Sequence, residues 1–286
     1  MMLDAAPRLR EHMGMYGNPE QRSGSIKGRF VIAVVIVLFT LVSYYGKSET
    51  NEFTGEKQSV AMTKGQEIAL GLESAPRMAQ QYGGLDKSIA DSVRVRAVGE
   101  RLLAGHSLSQ SDYKFQFHLL ADPETVNAFA LPGGQVFITR GLYKRLHSDA
   151  QLAGVLGHEI GHVVARHGAA QLAKQQLTQG LASAAGVAAG DQSGAQMAMM
   201  VGNVVNMKYG RGDELQSDTL GVHFMAEAGY NPRAMLQVMK ILASLSKGGR
   251  QPEFFSTHPN PENRTLTIEH AIEQQFPDGL PAGLES

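Results

Sequence analysis

Residues 154–168 read GVLGHEIGHVVARHG. His158, Glu159 and His162 make an H-E-x-x-H, with the two histidines one helical turn apart. Side chains at i and i+4 share one face of an α-helix, so both imidazoles reach a single Zn²⁺. Glu159 lies beside them, close enough to hold a water without ligating the ion. Ser148 and Asp149 offer an N-cap upstream. Leu152, Leu156, Ile160, Val163 and Val164 form a face turned away from the metal, while Gly154, Gly161, Ala165 and Ala169 keep the metal side small. That leaves room there for a substrate or a packed partner. A helix buried on both sides that still carries two histidines and a glutamate needs something to satisfy them, and zinc does so.

The chain must supply a third ligand. His167 falls on the opposite face of a continuing helix and is expected to be a structural, hydrogen-bonding histidine. The metzincin spacing H-E-x-x-H-x-x-G-x-x-H is not met, because Ala165 and Gly168 stand where glycine and histidine are required. Farther on, residues 209–222 read YGRGDELQSDTLGV and place Glu214 and Asp218 one turn apart on a predicted helix. Glu214 completes a His₂Glu set and leaves the fourth position open, which is the arrangement of a catalytic zinc. Asp218 is placed to accept the free N–H of His158 or His162 and fix its tautomer. Alone, Asp213, Glu214 and Asp218 would read as a solvated helix face; beside an H-E-x-x-H they read as a site.

Composition narrows the rest. With 26 Lys plus Arg against 27 Asp plus Glu in 286 residues, the charges almost cancel, which excludes a dedicated nucleic-acid binder. There is no cysteine, hence no disulfide framework, thiolate metal site or cysteine nucleophile. Metal chemistry must use the 10 histidines and the carboxylates.

The sharpest shift in composition is early. Residues 30–46, FVIAVVIVLFTLVSYYG, carry no charge and at 1.5 Å per residue reach about 25 Å, the short end of a bilayer span. We expect a transmembrane signal anchor here. Residues 1–29 are richer in Arg and Lys (Arg8, Arg10, Arg22, Lys27, Arg29) than in acids (Asp4, Glu11, Glu20). The positive-inside bias keeps them cytoplasmic and exports the remainder. A buried core helix and a cleaved signal peptide are the alternatives. Residues 47–62 are expected to form a polar linker, and 277–286 a tail. Thr63 with Gln66 suggests a capping box for a helix reaching Gly83-Gly84, followed by a second helix from Asp86 to Leu103. Tyr113–Leu120 alternates as a strand. Val126–Leu131 and Gln135–Thr139 flank Pro132-Gly133-Gly134 as a hairpin, and helix follows Arg140. The Ala/Gly/Met-rich stretch 178–207 reads as a core helix pair turning at Gly190, or as a membrane-touching or gating element.

HEIGHVVARHG followed by Glu214 and Asp218 resembles the gluzincin zinc metallopeptidases that include HtpX-like, BepA-like and CAAX prenyl proteases and the mitochondrial Oma-type enzymes. NAFALPGGQVFITRGL (127–142) is similar to the hairpin upstream of the family's zinc helix, and STHPNPENR (256–264) to its C-terminal His-Pro motif. Ser217 and Gly210 depart from the usual alanine and serine. The resemblance implies an α+β fold: a mostly helical zincin-like metallopeptidase domain over 63–276 with a small antiparallel sheet, preceded by one N-terminal transmembrane helix. It implies peptide-bond hydrolysis with one Zn²⁺ held by His158, His162 and Glu214, and Glu159 as general base. His258 and Arg264 are expected to stabilise the oxyanion, with Tyr209 behind them, or His258 to latch the open zinc position. Asn127, Ala128 and Phe129 are expected to pair with an extended polypeptide substrate. Quality control of unfolded or misassembled envelope proteins at a bacterial inner membrane, with the catalytic domain in the periplasm, fits best; the mitochondrial inner membrane is the runner-up. The rival readings are a membrane-anchored binding module with structural zinc and a zinc hydrolase of non-peptide amides.

Overall fold

The computed structural model describes residues 26–189, 209–246, 251–259 and 263–286. Helix α1 (Ile26–Tyr45) is the apolar segment, long and apolar enough to cross a membrane. Residues 47–62 are not an open linker. Strands β1 (Ser48–Thr50) and β2 (Lys57–Ser59) pair as an antiparallel hairpin. Buried Asn51 holds it: its Oδ1 accepts from the N–H of Phe53 and Thr54, and its Nδ2 donates to Val164 O at 2.9 Å. A short polar side chain that closes a turn this way docks a segment that composition alone reads as linker.

Helix α2 (Lys64–Gln81) starts with the expected capping box between Thr63 and Gln66. Helix α3 (Ile89–Leu103) is capped by Ser88. Strands β3 (Gln116–Leu120), β4 (Ala128–Leu131) and β5 (Gln135–Thr139) form one sheet in the order β3-β5-β4. The β4–β5 hairpin is antiparallel as expected, but β3 runs parallel to β5, so the sheet is mixed rather than wholly antiparallel. Parallel neighbours need a crossover. Residues 121–134 provide it, carrying β4 to the far edge before the chain returns through the centre.

Helices α4 (Arg140–Tyr143), α5 (Asp149–Val164) and α6 (His167–Ala189) follow, then α7 (Arg211–Glu227), α8 (Arg233–Ser246), α9 (Phe254–Thr257) and α10 (Arg264–Gln275). The fold is α+β with helices dominant. Residues 277–286 are pinned rather than a loose tail: Glu285 accepts from Asn231 N at 2.7 Å, donates to Gly229 O at 3.0 Å, and pairs with Arg101. Of the 178–207 stretch, α6 accounts for the part up to Ala189; the turn expected at Gly190 lies outside the described residues.

Helix α5 is the centre of the core, with Ala150–Val164 all buried. Its small face takes a packed partner, not a substrate. A Cβ on Gly161 would meet Ser217 Cα and O at 3.1 Å, and one on Gly157 would meet Gly221 Cα and O at 3.4 Å. Side chains on α5 would push α7 away; their absence brings Glu214 within reach of the two histidines.

Candidate metal centre

Helices α5 and α7 and the segment after α9 converge on four buried donors: His158, His162, Glu214 and His258, whose ligand atoms lie within 4.8 Å of one another. His158 Nε2 is 3.1 Å from His162 Nε2 and 3.3 Å from His258 Nδ1. Glu214 Oε1 is 3.2 Å from His258 Nδ1 and 3.4 Å from His162 Nε2, and its Oε2 is 3.5 Å from His158 Nε2. A tetrahedral ion with ligand bonds of about 2.0–2.2 Å separates neighbouring donors by about 3.3–3.6 Å. The residues therefore fit zinc in both type and spacing.

The electrostatics divide between the two histidines. Burial opposes charge on His158, but the Asp218 and Glu214 carboxylates beside it push it up to about 9, so metal binding there must displace a proton. Burial would raise the Glu214 carboxyl, but His258, His158 and His162 hold it well below the usual carboxylate range. Burial pushes His162 well below its ordinary value, leaving the neutral imidazole that a metal requires. Both oxygens of Glu159 are buried with no hydrogen-bond partner among the described residues, as are Glu214 Oε2 and His258 Nε2. Burial drives the Glu159 carboxyl upward. An unpaired buried carboxylate is costly, so such a group implies a ligand that satisfies it.

The surrounding residues fix the donors. His158 Nδ1 is 2.9 Å from Asp218 Oδ1, so Asp218 orients His158 rather than His162. His162 is held by His167, whose Nδ1 lies 2.9 Å from His162 Nδ1, with Gln216 Oε1 at 2.9 Å on its other nitrogen. His167 thus has the expected hydrogen-bonding role, though not from the opposite face of one helix. The helix ends at Val164 and Arg166 adopts φ 58°, swinging His167 back onto the site. Tyr209 stacks on the His162 ring, with centroids 3.9 Å apart.

Two expectations change. Arg264 is buried and committed to Asp218, with Nη1 3.2 Å from Glu214 Oε2, so it holds the carboxylates of Asp218 and Glu214 from behind instead of facing an oxyanion. Asn127 and Ala128 are buried, and Phe129 packs between Tyr82 and Phe137, so these side chains serve the core, and only the backbone edge of β4 is left to pair with a substrate. The segment leading into α9 covers the approach to β4: Phe254 N donates to Val126 O at 3.1 Å, and Asn127 Nδ2 to Glu253 Oε1 at 3.1 Å. A groove beside His162 is lined by Ala130, Leu131 and Pro132 with Tyr209. The pinning by Glu253 has no sequence motif that would have revealed it.

The model of peptidase family M48 matches residues 90–272. The chain belongs to peptidase family M48. Among curated relatives it is 32% identical over 153 residues to the mitochondrial metalloendopeptidase OMA1 of Arabidopsis thaliana, covering 54% of this chain and 31% of the relative. It is 26% identical over 264 residues to the beta-barrel assembly-enhancing protease of Escherichia coli K12, covering 86% and 53%. It is 33% identical over 192 residues to the putative beta-barrel assembly-enhancing protease of Vibrio cholerae, covering 63% and 38%. The chain thus spans about half or less of the length of these relatives. Family M48 and the metalloprotease class agree with the resemblance carried by HEIGHVVARHG, Glu214 and Asp218.

Proposed function

We propose that this chain is a membrane-anchored, zinc-dependent endopeptidase that cleaves unfolded or misassembled envelope proteins from the periplasmic side of a bacterial inner membrane. The observation that carries the peptidase reading is Glu159: both carboxylate oxygens are buried and unbonded, beside donors spaced for zinc. When bound, zinc supplies Lewis acidity that polarises a scissile carbonyl and acidifies water. His158, His162 and Glu214 hold it, with Asp218, Arg264 and His167 fixing their orientation. Glu159 takes the proton of the attacking water and passes it to the leaving amine. An extended substrate lies along the groove at Ala130–Pro132, adding to the outer edge of β4. The names of the relatives support protein substrates, and the apolar α1 supports the anchor.

The resting arrangement is latched. His258 would offer a bound ion a fourth protein donor in the place a substrate or water needs, and its Nε2 stands 3.5 Å from Glu159 Oε1. Phe254 stacks on His258, with centroids 4.4 Å apart, and Tyr82 donates to Glu253 at 2.6 Å, so the whole segment is tied to α2 and the β4 approach. Four protein donors also describe a structural zinc, and His258 is the observation favouring a binding module. Glu159 separates the two, because a structural site has no use for a base. Purified full-length protein should hold one zinc per chain and cleave an unfolded protein, whereas Glu159→Gln should keep the zinc and cleave nothing. Zinc retention with no cleavage by either the parent or His258→Ala would favour the binding module.

A further inference from the structure

We propose that α6 enters the lipid bilayer beside α1 as a second membrane-embedded arm, with acyl chains as its partner. The proposal rests on the reading of α1 as a membrane anchor and adds an element that no hydropathy window over α6 singles out.

The two helices share a continuous antiparallel seam. Ala173 and Leu177 meet Ser43, Tyr44 and Lys47 around one cavity, and farther along α6 a Cβ on Gly180 would lie 2.4 Å from Thr40 Oγ1. Ala184 and Ala33 are the buried positions beyond. Gly180 and Ala184 form a small-xxx-small pair, the packing by which helices approach closely within lipid, where apolar area alone gives no drive to associate.

Charge marks the level of entry. Lys47 follows the end of α1 and lines the same cavity as Ala173; Lys174 is the next residue on α6. From that shared level residues 30–46 carry no charge in one direction along the sequence, and residues 175–189 none in the other. At 1.5 Å per residue the uncharged part of α6 reaches about 22 Å, most of a hydrocarbon core of about 30 Å. Lysines at such a boundary snorkel to the headgroups.

The exposed surface of the pair suits lipid. Phe39 is 73% exposed and Val42 70% on α1, and Leu181 is 40% exposed on α6, apolar surface that water would penalise. The hydroxyls of Thr178 and Ser183 point outward yet donate to Lys174 O and Gln179 O at 2.9 and 2.8 Å, so they are satisfied within the helix. Because α6 begins at His167, which bonds His162, the arm sets the metal centre close to the membrane surface.

Single cysteines test this directly, since the chain has none of its own. Full-length Val35→Cys, Leu181→Cys, Ala185→Cys, Lys174→Cys and Leu72→Cys proteins would each carry a fluorophore and be reconstituted in vesicles of phosphatidylethanolamine and phosphatidylglycerol. Quenchers would sit on either the acyl chain or the headgroup. The expected result is acyl-chain quenching at positions 35, 181 and 185, headgroup quenching at 174, and neither at 72. Acyl-chain quenching at 35 but at neither 181 nor 185 overturns the arm while leaving the anchor intact. Absence of acyl-chain quenching at 35 as well overturns the anchor and the arm together.

Discussion

Arg264 and Asp218 form a two-pronged ion pair: Nε donates to Oδ2 at 2.7 Å and Nη2 to Oδ1 at 2.6 Å, between side chains that are almost fully buried. The same guanidinium reaches Glu214, so one cation balances two carboxylates behind the metal donors. Removing it strands buried charge, which costs about 3–5 kcal/mol. Arg264→Ala should therefore lower the urea midpoint of apo-protein markedly. Arg264→Lys should recover only part of that, because lysine lacks the planar fork. Equal stability of both variants with the parent would remove Arg264 from this role.

Glu159→Gln keeps the size of the side chain and removes the base. Cleavage should fall by about 10²–10⁴-fold, with zinc content unchanged by metal analysis. Parallel loss of zinc would make Glu159 a ligand or a folding residue instead.

His258→Ala opens the fourth position and leaves His158, His162 and Glu214 in place. Initial rates on an unfolded substrate should rise, and zinc should dissociate faster into a chelator. Glu253→Ala, which cuts the ties to Tyr82 and Asn127, should raise the rate in the same direction. A fall in rate for both variants, with zinc retained, would show that the α9 segment assists the reaction instead of latching it.

Gly161 lies against Ser217 where α5 and α7 pack together. Gly161→Val overpacks that contact, at a cost of about 1–3 kcal/mol, and tilts Glu214 away from the histidines. Both Tm and zinc affinity should drop. A loss of stability alone would mean that α7 slides without moving its carboxylate.

A separate network predicts acid sensitivity. Asp91 is held down to about 2 by the hydrogen bond from Arg140, with Ser88 and Tyr143 adding to it. A depressed carboxyl contributes stability that is complete above its unfolded value of about 3.9 and is lost as pH falls through the folded value. Asp91→Asn should therefore cost Tm at pH 6, and the difference from the parent should shrink as pH falls from about 4 toward 2. The side chain is partly exposed, so the effect should be modest and screened by salt.

Much of the site was legible because its chemistry follows local periodicity. The spacing of His158 and His162, and of Glu214 and Asp218, fixes a helical face in each case, and the Thr63 capping box is equally local. Tertiary facts escaped for the converse reason. That β3 pairs in parallel depends on where β4 crosses the sheet. The role of Arg264 depends on the docking of α10 against α7, not on residues beside it. The periodicity continues the helix through His167, and only the left-handed Arg166 shows that α5 has ended. The hairpin pattern of Val126–Leu131 places Asn127 on a strand edge, and only the position of Glu253 and Phe254 shows it covered. Asn51, a single buried turn residue, decided that a polar stretch was folded.

The close approach of α5 and α7 at Gly157 and Gly161 also governs timing. A ribosome releases His158 and His162 well before Glu214, and His258 later still, with α6 in between. No complete donor set exists until α7 has docked on the glycine face, and metal capture then stabilises only the finished assembly. The glycine face of α5 therefore acts as a checkpoint: it couples metal capture to the arrival of α7.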